Sequence, residues 1–380
     1  MTKSLMLLLA LVALCASAAA EDTKVCGAPA ALADGWTTAP QADLGLDPAK
    51  LCELDSFIAQ WPAANIHAVV VVRKGRLAME RYFSGADERW GSPLGTVQYA
   101  ADVKHDLRSI SKSVTSLLVG IARGEGKFPA LDSSAIDFFP QYASLKTADN
   151  ARITFADFLT MSSGLAWDES LPYSNPANSE RRLIDAADPL QYVFEQRLVA
   201  RPGETYSYNG GGTTVLAAAV AKATGQRLDD YARDRLFSPL GITDYEWVKL
   251  PFAEGSPPSA ASGLRLRARD SAKLGQILLS DGAWQEKQVL PKGWAAESIK
   301  PRINGEGLYF YGYQWWLGRS FRNGAELTWA AGVGYGGQRL YVVPALDLVV
   351  MVNAGLYSSP LQGVIPLGIF TRVVLPALKD

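Results

Sequence analysis

The chain has 380 residues, with 37 Lys+Arg against 38 Asp+Glu, 48% hydrophobic and 20% charged. That balance offers no basic footprint for nucleic acid or an anionic membrane surface, and the ordinary globular composition excludes collagenous and disordered classes. Two histidines, His67 and His105, and three cysteines in neither CxxC nor HExxH spacing leave a zinc site or a Ser-His-Asp machine few residues to draw on, so no metal or cofactor is expected and a catalyst would need another base.

Lys3, the apolar run from Leu5 to Leu14, and Ala18-Ala19-Ala20 ahead of Glu21-Asp22 read as a signal peptide over residues 1–20, too short for a membrane span. The competing reading is a lipid anchor at Cys15, disfavoured because Leu14 stands where a small residue is wanted. Export to the periplasm or the medium is therefore expected. The mature chain keeps Cys26 and Cys52, and an oxidising compartment permits them to pair; a disulfide tying the N-terminal segment to the first helix is expected over a reactive thiol.

Asp47-Pro48, followed by Leu51, Leu54, Ile58 and Trp61, marks a capped amphipathic helix. Ala68 to Arg73, the turn Lys74-Gly75 and Arg76 to Phe83 read as an antiparallel hairpin. Ser109 to Arg123 is an apolar helix stopped by Gly124 and Gly126. From Phe128 to about Pro258 the β pattern fades, with helices expected at Thr154 to Met161, opened by Thr154 and Asp157, and at Thr213 to Thr224, closed by Gly225. Pro251 to Ser262 is the expected return crossing. A helix over Asp270 to Ser280 and strands over Tyr311–Leu317, Glu326–Ala331, Arg339–Val343 and Leu348–Asn353 complete the pattern.

Strand-rich ends around a helical middle imply an α/β (α+β) fold, with an antiparallel sheet flanked by helices and built from N- and C-terminal segments. The expected division is a discontinuous mixed α/β domain over 21–127 and 259–380 and an inserted all-α domain over 128–258. A cleft between them is the default site.

The sharpest local signal is Ser109-Ile110-Ser111-Lys112, an S-x-x-K opening the most apolar helix, where one turn sets the Lys ammonium beside the Ser hydroxyl. Burial lowers a Lys pKa, which would make Lys112 a usable base at neutral pH; an exposed lysine on a helix flank is the bland alternative. Pro202 to Gly212 then delivers Tyr206, Tyr208 and a flexible glycine run ahead of a helix, and Trp329 to Gln338 supplies a glycine-rich strand end of the kind that lets a backbone or ligand approach closely.

In this order the three elements resemble the serine β-lactamase and penicillin-binding superfamily, specifically the class C-like branch with family VIII carboxylesterases and 6-aminohexanoate-dimer hydrolases. Ile153 to Leu165, Leu236 to Gly241 and Gly336-Gly337-Gln338 carry the resemblance further, over nearly the whole mature chain. It implies a β-lactamase/transpeptidase-like fold, Ser109 as nucleophile, Lys112 as its base partner and Tyr208 as the proton relay, with Tyr206 the fallback. Two departures stand out. The family's Tyr-x-Asn has Gly210 in the Asn position, leaving Asn209 as a possible substitute, and the usual Lys-Thr-Gly is replaced by Ala330-Ala331-Gly332 or the run after it, which removes the common anchor for a substrate carboxylate.

The expected activity is hydrolysis of a small ester, amide or peptide through an acyl-enzyme. The oxyanion is expected to meet the Ser109 amide and one from Val333, Gly334, Tyr335 or Gly336, and Asn209, Trp167 and Tyr173 are the further substrate-binding candidates. His105, one turn before Ser109, is expected to be structural because no G-x-S-x-G elbow exists. The alternatives are a D-amino-acid peptidase or carboxypeptidase on cell-wall peptides, and a penicillin-recognising binding protein with little turnover. Substrate identity and oligomeric state are left open by the sequence.

Overall fold

A computed structural model describes residues 26–249 and 255–379; the signal segment and Cys15 lie outside them. Strand Ile66–Arg73 explains the sheet's construction. Its Ala68, Val70 and Val72 enter one apolar cluster while Ile66, Val69 and Val71 enter another on the opposite face, so a run without alternation marks a strand covered on both sides. The strand pairs with Arg76–Tyr82 on one flank and Leu348–Ala354 on the other, and the sheet continues through Gln338–Val343, Ala325–Gly334, Trp316–Arg322, Phe310–Tyr311 and Ile303–Asn304. All eight strands run antiparallel to their neighbours, and two distant parts of the chain supply them.

Helices Pro48–Leu51 and Glu53–Ala59 and the C-terminal helical run from Leu361 to Ala377 cover one face. The single helix expected after Asp47 is thus two, parted at Cys52, which is disulfide-bonded to Cys26. Helix Ile110–Gly124 and helix Ala268–Leu279 lie against the other face, whose apolar cluster runs on without a break into the helices drawn from 128–258. Every residue from Ile110 to Ala122 is buried, and at Gly120 a methyl group would meet the Trp294 indole at 2.2 Å, which is why this helix seats so deeply.

Several elements differ from the sequence reading. Tyr311 to Leu317 is not one strand but the end of Phe310–Tyr311 and the start of Trp316–Arg322 around a turn in which Gln314 has φ of 63°, and the hairpin Ser84–Arg89 with Ser92–Gln98 has too little apolar alternation to declare itself. Among the described residues of 128–258 the elements are helices joined by loops, with one strand, Glu246–Trp247, which pairs with Leu264–Arg267; the latter also pairs with Lys104–Asp106, the segment leading to Ser109. The glycine run is not a flexible lead-in but the first turn of helix Gly210–Thr224. Asn209 Oδ1 accepts from the Gly212 amide, and methyl groups at Gly211 and Gly212 would meet Trp167 at 2.5 Å and Phe158 at 2.7 Å, so the helix packs closer than side chains would allow. No helix among the described residues is long and apolar enough to cross a membrane.

Candidate active site

Ser109 is the last residue before helix Ile110–Gly124, and Lys112 follows one turn later. Lys112 is only 2% exposed, so its ammonium must be paired within the protein. Its Nζ lies 3.1 Å from Ser109 Oγ, donates to the Ala261 carbonyl at 3.1 Å and sits 4.7 Å from the centre of the Tyr208 ring. The segment around Ala261 therefore serves the site directly, through the carbonyl that accepts from Lys112. Lys112 and Ser109 both act to lower the Tyr208 phenol against its burial, and its ring stacks on Trp316 at 6.1 Å.

Ser109 and Tyr208 open onto a cleft of about 1120 Å³, lined also by Trp167, Tyr173, Val333, Gly334 and Tyr335, with Lys112 buried behind them. Tyr206 also lines it, but its hydroxyl is buried without a partner and its ring packs on Tyr311 and Trp316, leaving the contact with lysine to Tyr208. Two expected binding residues are displaced from the cleft. Asn209 is 2% exposed and spends its side-chain oxygen on the helix cap, so it does not replace the missing Tyr-x-Asn amide. Gly336 donates its amide to Gln362 Oε1 at 2.9 Å and faces the Tyr357 ring, because the chain turns away from the cleft there. The amides of Ser109 and Tyr335, by contrast, donate to no group among the described residues. Gly334 keeps the two segments together: a methyl group there would stand 2.3 Å from the Leu107 carbonyl. His105 is buried away from the cleft, against His67 and the Asp106 carbonyl.

The sequence reading missed the acids. Glu169 Oε1 accepts from the amide of Gly210 and, at 2.6 Å, from Trp167 Nε1. A methyl group at Gly210 would lie 2.9 Å from that same oxygen, so the glycine in the Asn position makes room for a carboxylate. Glu180 stands nearby, accepting from Tyr173 and Ser262 hydroxyls. Burial, reinforced by Glu180, pushes the Glu169 carboxyl up to about 7 against the opposing pull of Lys112. Neither glutamate was visible to motif reading: Glu169 belongs to an irregular loop and Glu180 to the first turn of helix Ser179–Asp185, and each becomes meaningful only when folded beside Lys112.

They also overturn the expectation of a neutral lysine. Burial does act to lower the Lys112 pKa, but Tyr208, Glu169 and Glu180 together outweigh it and hold the ammonium above its ordinary value. Burial raises the Tyr208 phenol, with Lys112 working in the opposite direction. Arg339 is a further surprise. Paired in register with Val333, it is the only cationic side chain lining the cleft among the described residues, and its Nη1 donates to the Gly334 and Gln338 carbonyls rather than to a carboxylate.

A protein of Paenarthrobacter ureafaciens named 6-aminohexanoate-dimer hydrolase is 25% identical over 314 residues, covering 75% of this chain and 71% of the relative. An Escherichia coli (strain K12) protein provisionally named a D-alanyl-D-alanine carboxypeptidase is 25% identical over 260 residues, which is 64% of this chain and 58% of that relative's length. Among solved structures, EstCE1, described as a hydrolase with promiscuous acyltransferase activity, shares the fold with a TM-score of 0.65 at 18% identity, over 85% of this chain and 99% of that one. The family model described as Beta-lactamase matches residues 54–356, a span that holds the Ser109-Lys112 turn, Tyr208 and the strand edge at 333–335, and the chain belongs to that family, within the serine β-lactamase and penicillin-binding superfamily.

Proposed function

We propose that this chain is an exported serine hydrolase that cleaves an ester or amide through an acyl-enzyme on Ser109, with Lys112 and Tyr208 moving the proton. The observation that carries the reading is the 3.1 Å approach of Lys112 Nζ to Ser109 Oγ at the floor of the cleft. Names of relatives point the same way: one is named a 6-aminohexanoate-dimer hydrolase and one is described as a hydrolase with promiscuous acyltransferase activity.

With Lys112 charged and Tyr208 protonated at rest, the reactive form has lost one proton from this pair. That form accepts the Ser109 proton as Oγ bonds to the substrate carbonyl carbon and the carbonyl π pair moves to oxygen. The Ser109 and Tyr335 amides receive the oxyanion. As it collapses, the bond to the leaving group breaks and the Tyr208 hydroxyl returns the proton to the departing alkoxide or amine; water repeats the sequence on the acyl-enzyme. Each oxyanion donor is worth about 3 kcal/mol in such sites.

A base that must first lose a proton from a raised pKa makes kcat/KM climb as pH rises above neutrality. Glu169 contributes to holding that proton, so Glu169→Gln lowers the Lys112 pKa and moves the rising limb to lower pH, measured as kcat/KM across pH 6 to 10. A limb that stays in place, or moves up, would contradict the assignment.

The substrate class is tested with short-chain p-nitrophenyl esters, linear amides, a chromogenic cephalosporin and D-peptides. Steady ester or amide release with little cephalosporin turnover is expected; silence toward all of them favours a binding protein instead. Arg339 supports a second reading, a carboxypeptidase, because a half-buried guanidinium without a carboxylate partner suits a peptide C-terminus. Arg339→Ala is then expected to raise KM by about 10- to 100-fold for carboxylate-bearing substrates, the range for a charged hydrogen bond, while leaving neutral esters unchanged. An equal effect on both would dismiss the anchor.

A further inference from the structure

Both histidines of the chain meet in one place outside the catalytic cleft. His67, on strand Ile66–Arg73, and His105, on strand Lys104–Asp106, approach Asp87 of the Ser84–Arg89 hairpin, and all three are buried. His67 Nδ1 is 2.9 Å from His105 Nε2, and Asp87 Oδ1 is 4.0 Å and 3.6 Å from those two nitrogens.

The outer partners decide what those inner atoms are. His105 Nδ1 faces the Asp106 carbonyl at 2.9 Å, which only an N–H can satisfy, so Nδ1 carries the proton and Nε2 a lone pair. Asn65 donates its amide nitrogen to the carbonyls of Ala86 and Gly355, which turns its oxygen toward His67 Nε2 at 3.0 Å; Nε2 is therefore the protonated nitrogen and Nδ1 the bare one. Two lone pairs and a carboxylate oxygen thus converge, an arrangement that repels itself unless a cation lies between them.

From this convergence we propose that His67 Nδ1, His105 Nε2 and Asp87 bind a divalent first-row transition ion, with Zn²⁺ the best fit. The three separations bracket the edge of roughly 3.3 Å that bonds of about 2.0–2.1 Å give a tetrahedron. Two imidazoles with one carboxylate select against Ca²⁺ and Mg²⁺, which favour all-oxygen sets. The second shell is already in place, since each histidine gives its other N–H to an oxygen and Asp87 accepts from the hydroxyls of Tyr99 and Tyr357. Gly85 and Gly355 close the cradle: a methyl group at either would fall within 2.4 Å of Asn65. The ion is a clamp rather than a catalyst. It joins three segments distant in sequence and fixes the strand that leads into Ser109.

The test loads the full mature protein with Zn²⁺, removes excess by gel filtration, and reads bound metal by mass spectrometry alongside Tm. About one Zn²⁺ per chain is expected, with a Tm that falls on treatment with dipicolinate and returns with Zn²⁺, and Co²⁺ in its place should give a tetrahedral ligand-field band. Asn65→Ala, which loosens only an orienting partner, should weaken Zn²⁺ binding by about 10- to 100-fold and keeps the test decisive if His67→Ala fails to fold. Less than a tenth of an equivalent of Zn²⁺ after loading, with Tm indifferent to chelator and metal, would overturn the site and leave a purely hydrogen-bonded cluster.

Discussion

Ser109→Ala should abolish turnover of every ester or amide the wild type cleaves, with kcat falling by on the order of 10⁴ or more while substrate is still bound. The size follows from what is removed. Without Oγ there is no acyl-enzyme, so the two easier steps revert to one direct attack by water, and only binding and the two amide donors still favour the transition state. The structural cost should be small. Ser109 is partly exposed, and the hydroxyl lost has Lys112 as its hydrogen-bond donor, which keeps the Ala261 carbonyl. Circular dichroism and Tm should therefore match the wild type. Loss of activity accompanied by unfolding would say nothing for the mechanism, whereas full activity in a folded variant would remove Ser109 from it.

Lys112→Met should be nearly as damaging, lowering kcat/KM by on the order of 10² to 10⁴, the usual range for a general base. Methionine fills much of the same volume, which matters because Lys112 is 2% exposed and truncation to alanine would leave a cavity on the buried stretch of its helix. Its loss also has an electrostatic consequence that can be measured. Lys112 is the group that pulls the Glu169 carboxyl down, so without it Glu169 rises from about 7 and is neutral over a wider pH range. The variant should lose the alkaline rise in kcat/KM. Retention of that limb at wild-type rates would place the base elsewhere.

How much of this was readable in the sequence depends on whether the cause is local. The Ile66–Arg73 and Leu348–Ala354 strands, the Thr154 capping box and helix Ile110–Gly124 follow from periodicity and end signals a few residues long. The spacing that brings Ser109 to Lys112 is likewise one helical turn. What escaped depends on long-range contacts. The glycines at 210–212 look like a loop until Trp167 and Phe158 are seen pressing on them, and Asn209 looks like a ligand until it is seen capping the helix they begin. Lys112 illustrates the same limit energetically: burial was foreseeable from the apolar helix, but the groups that outweigh it, Tyr208, Glu169 and Glu180, come from three separate segments that only folding brings together. His67, Asp87 and His105 have no spacing that announces a site, because three strands must fold before they meet.

The most direct measurement of the central claim is mass spectrometry of the intact protein, quenched in acid while turning over a slow p-nitrophenyl ester, followed by peptide mapping. The account predicts a mass increase of one acyl group that maps to Ser109 and is absent from Ser109→Ala. An acyl group mapped to any other side chain, or turnover with no adduct under conditions where deacylation has been made limiting, would contradict it.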